Sequence, residues 1–132
     1  MKIIKNNIIP FGTYVAITIG PWIFTKRESL SDVTINHEAI HWEQEKETGI
    51  IGFYILYVLM FLWELIRCTF NRARGARADG HHRSTWKRAY RSISFEREAY
   101  AHEIDEEYIT TRKHFAWIRN SFSSVLVHNK VC

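Results

Sequence analysis

An α+β fold is predicted for this chain, with short strands leading and helices making up most of the remainder. Three observations predict it. The first 25 residues alternate brief β-branched or aromatic runs with Asn, Pro and Gly. Two later stretches, NHEAIHWEQEKET and SFEREAYAHEIDEEY, carry helical spacing, and an apolar run over residues 50–66 lies between them. A length of 132 residues with 46% hydrophobic and 14% aromatic content suits one domain over 1–132 with its own core.

In chain order, strands are expected at 3–4, 14–19 and 22–25, the last two joined by a Gly20-Pro21 turn. Lysines followed by apolar residues open the chain, but Asn6, Asn7, Pro10 and Gly12 interrupt the run and no clean cleavage site comes after them. Cytoplasmic residence is therefore expected, with association to a membrane left open. Cys68 and Cys132, far apart, are expected as free thiols. Neither CxxC nor a Cys/His cluster occurs, so a metal site would have to use His and carboxylate oxygen.

Ser31, Asp32 or Thr34 would cap the first helix, and Gly49 would end it. Glu43, Glu45, Lys46 and Glu47 suit a solvent-facing second half, with Ile35, Ala39, Ile40 and Trp42 packing on other faces. The next 17 residues, 50–66, hold Glu64 as their one charge, which is the lower limit of length for crossing a bilayer. If they crossed, the two halves of the chain would lie on opposite sides and could not share a site. This helix is therefore expected in the core, or presented to a protein partner or a membrane surface as a peripheral contact. From Arg67 to Arg91 there are eight Lys or Arg residues against Asp79 alone, while Phe95 to Glu107 holds six acidic residues against Arg97. The basic stretch 72–83 reads as a solvated loop, and without a recognisable module around it nucleic acid is not expected as a partner. A helix should start near Ser94, and a shorter one should cover 114–120.

The chemistry concentrates in NHEAIHWE. Residues i and i+4 share a helix face, so His37 and His41 can point at one ion, with Glu38 about 100° round the helix. Two neutral imidazoles on Zn²⁺ and a neighbouring carboxylate that takes a proton from water make a hydrolytic site. Such a site needs a third protein ligand, and acidic residues on a helix packed against the first are the natural source. His81 and His82, in the basic loop, are secondary candidates as a third imidazole or a hydrogen-bond donor. His102 and Glu103 are weaker ones. Tyr90 and Tyr100 are candidates for donating to a charged intermediate.

HEAIH followed after about fifty residues by FEREAY resembles the gluzincin clan of metallopeptidases, in which HExxH is followed by a helix bearing a motif like E-x-x-A-D. The resemblance implies a small zincin-like domain, peptide or protein as substrate, Zn²⁺ as cofactor and Glu96 as the third ligand. Tyr100 stands where Asp is common, so another group would have to orient a ligating imidazole. Glu98 is the competing carboxylate. Two residues apart is roughly 200° on a helix, so only one of Glu96 and Glu98 is expected to face the HExxH helix. The function expected is a zinc metallopeptidase. The alternatives are a non-catalytic zincin-like interaction protein using its apolar helix, and a membrane-inserted small protein with a coincidental HExxH.

Overall fold

A computed structural model describes residues 1–10, 14–74 and 84–119. Three strands, β1 (Lys2–Lys5), β2 (Ala16–Ile19) and β3 (Trp22–Thr25), form a sheet in the order β1-β3-β2. β1 runs parallel to β3, and β2 pairs with β3 antiparallel, Ile19 opposite Trp22. Gly20, at φ 60°, makes the two-residue turn between them, in the left-handed region that a side chain disfavours. Thr18 and Ile23 pair across the strands, and both are buried on the face turned to the helices. The buried threonine matters below, because its hydroxyl reaches the first helix.

Helix α1 (Asp32–Thr48) starts as the sequence predicts: Ser31 is extended, and its side chain accepts a hydrogen bond from Thr34 N. Gly49, at φ 73° and ψ 147°, ends α1 and begins α2 (Ile50–Ala73). A single residue therefore turns the chain between two long helices, in a conformation reserved for glycine. α2 runs seven residues beyond the apolar stretch, because no Gly or Pro occurs between Ile66 and Gly75. Its inner side supplies Phe53, which joins Ile93, Phe95 and Trp117 in the core; Phe53 and Phe95 lie 4.6 Å apart between ring centres. Cys68 is buried and disulfide-bonded, correcting the expectation of a free thiol, and Cys132 lies outside the described residues.

Of the basic stretch 72–83, residues 72–73 belong to α2 and 75–83 lie outside the described residues. α3 (Thr85–Ser92), capped by Ser84, packs back along α2, with Thr85 hydrogen-bonded to Arg72 and Trp86 against Phe61. Ile93 is extended, and α4 (Ser94–His102) follows at once, so Ser94 is its first residue and not its cap. The long helix expected onward from Ser94 breaks after His102, and among the described residues helix returns at α5 (Tyr108–Thr111) and at 116–119. Acidic Glu103, Asp105, Glu106 and Glu107 are poorly suited to a helix C-terminus. Instead, the Asn36 amide of α1 donates to the carbonyls of His102, Glu103 and Asp105 at 3.0–3.3 Å and holds the turn in place.

Candidate metal centre

Helices α1 and α4 pack together, and three side chains converge between them. His37, His41 and Glu96 each offer a ligand atom within 4.8 Å of the others, and all three are buried. The two Nε2 atoms lie 3.2 Å apart; His37 Nε2 is 3.5 Å from Glu96 Oε2, and His41 Nε2 is 3.3 Å from Glu96 Oε1. Atoms bound to one tetrahedral ion at about 2.0–2.1 Å stand about 3.3 Å apart, which is the scale observed.

The outer nitrogens show why a cation belongs there. His37 Nδ1 lies 2.9 Å from Glu103 Oε2, an acceptor, so this nitrogen carries the proton. His41 Nδ1 lies 2.8 Å from Gln44 Oε1, also an acceptor. Each neutral ring then turns a lone pair at Nε2 towards the other ring and towards a carboxylate. Glu96 Oε2 is buried with no hydrogen-bond partner. Three electron-rich groups facing one another need a positive charge between them, and this donor set fits a metal ion.

Without a metal, a proton meets that need. Burial alone would lower the pKa of His41, but the charge and hydrogen bond of Glu96, with smaller help from Glu38 and Gln44, raise it from 6.5 to about 9. Burial likewise pushes Glu96 up, yet His41 and His37 hold it far below the usual carboxylate range. Because the folded pKa of His41 is raised, its contribution to metal-free stability is full below about 6.5 and is lost as pH rises through about 9. A metal must displace this proton. Metal binding at pH 7 is therefore expected to release about one proton per ion, measurable by calorimetry in buffers of different ionisation enthalpy. Proton-neutral binding would contradict the assignment.

Around the triad, Tyr57 of α2 donates to Glu96 Oε1 at 2.7 Å, which constrains the carboxylate. Burial and then the Glu96 charge push the Tyr57 hydroxyl well above its ordinary pKa, so it stays a donor. Glu38 is buried beside them. Its Oε2 accepts from the Thr18 hydroxyl at 2.8 Å, and the same hydroxyl reaches the Glu38 carbonyl at 3.0 Å, so β2 fixes this side chain. Tyr100 packs edge-on against His37, ring centres 4.7 Å apart, and Tyr90 interacts electrostatically with Glu96, so both predicted tyrosines border the site.

Other candidates fall elsewhere. Glu98 is not in the triad: it accepts from Gln44 Nε2 at 3.0 Å and Tyr108 at 3.0 Å and pairs with Arg112. It nevertheless touches α1, so both carboxylates of α4 face that helix, against the expectation that only one could. His102 stacks on Tyr108 at 3.6 Å. His81 and His82 lie outside the described residues.

Glu103 supplies the acidic partner missing at Tyr100, seven residues beyond Glu96 and not four. A search restricted to the motif passes over it; its signal is the Asn36 amide, which anchors the turn carrying Glu103 beside His37. Gln44 is legible in the sequence only as a polar residue one turn beyond His41. Glu103→Ala is expected to weaken metal binding about 10–100-fold, as loss of an outer partner does, read by chelator competition. An unchanged affinity would show that Glu103 does not orient His37. Compared with known protein families, curated proteins and solved structures, the chain matches none.

Proposed function

We propose that this chain is a zinc-dependent hydrolase, a metallopeptidase of the gluzincin type on a zincin-like fold. The observation that carries the proposal is the joining of HExxH to Glu96, with both outer imidazole nitrogens already bonded. Zinc held there would act as a Lewis acid and make a water acidic near neutral pH. His37 and His41 would bind through Nε2, with Glu103 and Gln44 fixing their tautomers. Glu38, fixed by Thr18, would take the proton of the attacking water and deliver it to the leaving nitrogen. Tyr100, against His37, is the side chain we assign to hydrogen-bond the oxygen on which charge develops.

Peptide is the favoured substrate class because β2 is an edge strand beside Glu38, suited to pairing with an extended chain. The Tyr54 hydroxyl already occupies the Thr18 carbonyl, which limits such pairing to the rest of the strand.

Metal analysis of the purified chain should give one zinc per molecule. Glu38→Gln should keep that zinc and lower peptide hydrolysis about 10²–10⁴-fold. Equal loss of zinc in Glu38→Gln and His37→Ala would refute the division of roles. A zinc-loaded wild type inert towards a broad peptide library would favour the non-catalytic reading.

A further inference from the structure

The outer face of α2 has no use in the site. Ile51, Ile55, Leu59, Trp63, Ile66 and Phe70 form one helical stripe and are exposed, Ile51 by 78% and Trp63 by 66%. From Ile51 to Phe70 the stripe runs roughly 28 Å at 1.5 Å per residue. An apolar surface of that length open to water calls for a partner.

The surrounding charge identifies its chemistry. Exposed Arg67, Arg72 and Arg74 cluster at the C-terminal end of α2, and exposed Lys87 lies beside them, near the point where Thr85 of α3 meets Arg72. Among the described residues of α2 and α3, Glu64 is the one acidic group, and Arg67 already pairs with it at 2.7 Å. A second copy meeting this face would bring the same cations and no free carboxylate from these two helices. Anionic head groups would supply what is missing. The exposed indole of Trp63, on the stripe itself, suits the boundary between head groups and acyl chains.

We infer that α2 lies flat in the surface of an anionic lipid bilayer, its outer stripe in the acyl boundary and the basic residues on head groups. It does not cross. Although α2 is long and apolar enough to span, α3 runs beside its C-terminal two-thirds, from Thr85 at Arg72 to Tyr90 near Tyr57. Spanning would therefore carry Lys87, Arg88 and Arg91 into hydrocarbon. His37 and His41, before α2, also meet Glu96, after it, on one side.

Flotation of the full chain with vesicles tests this without reference to metal or turnover. The chain should float with phosphatidylcholine vesicles containing phosphatidylglycerol, weakly with phosphatidylcholine alone, and less as salt rises. Leu59→Glu should abolish flotation. Arg72→Ala and Lys87→Ala should each weaken it roughly fivefold. These positions are exposed, so an unchanged circular dichroism spectrum verifies that the variants fold. Failure to float, or equal flotation on both vesicles, would overturn the inference. So would retention after alkaline carbonate extraction, which marks a spanning segment. A lipid-free dimer dissociated by Leu59→Glu, with no flotation, would assign the stripe to a second copy instead.

Discussion

Glu96→Ala is expected to lower zinc affinity by more than the about 100-fold that losing an outer partner can cost, because it removes one of three ligands. His37 and His41 would remain on α1, whose Ser31 cap does not involve Glu96. The comparison that makes the result specific is Glu98→Ala, two residues along the same helix. Glu98 reaches the site only through Gln44, so its removal should weaken zinc binding far less while destabilising the fold. Chelator competition and thermal melts on both variants would separate the effects. Wild-type zinc affinity in Glu96→Ala would remove Glu96 from the ligand set.

Arg112→Met is expected to destabilise the protein by about 3–5 kcal/mol, the range for leaving buried charge unpaired. Arg112 is 4% exposed and lies between two buried carboxylates, Glu47 at 5% and Glu98 at 0%. Its Nη2 is 3.1 Å from Glu47 Oε2 and 3.2 Å from Glu98 Oε2. Burial would raise the pKa of Glu47, but Arg112, the Phe115 amide and the Trp117 indole outweigh it and hold Glu47 below 4.5. That depressed pKa makes its contribution present above about 4.5 and lost as pH falls through the folded value. The deficit of Arg112→Met should therefore shrink in acid. Urea denaturation at pH 7 would check the size, and a change below about 1 kcal/mol would show the cluster to be solvated.

The same cluster shows where the sequence stops being legible. Gly20-Pro21 marks the hairpin, Ser31 and Gly49 bound α1, and HEAIH puts His37 and His41 on one face, because each signal lies within a few neighbouring residues or one helical turn; Glu96, 55 residues further on, is marked by the resemblance of FEREAY to a family motif. Glu45 and Glu47 look like solvent residues by the same local rules. Glu45 is buried and the Glu47 side chain is almost covered, because Gly20, 25 residues earlier, donates to one and Arg112, 65 residues later, clamps the other. Helical phase also misplaces Glu98. Glu98 meets α1 all the same, because the Gln44 side chain donates to it. α3 is hidden in the sequence because its eight residues are fewer than helical periodicity needs to be read, although Trp86, Ala89 and Tyr90 do share one face.

Asn36 ties together events that look remote. It precedes His37, yet its amide holds the carbonyls of the turn that presents Glu103. An ion held at the triad would thus be coupled to closure of that turn. A ligand at 1,000 times its dissociation constant deepens the native basin by about 4.1 kcal/mol. Through Asn36 and His37, part of that gain is felt at residues 103–105, which hold none of the three ligand atoms. Backbone amides there would exchange with deuterium more slowly after loading, making the turn a reporter of occupancy independent of any substrate.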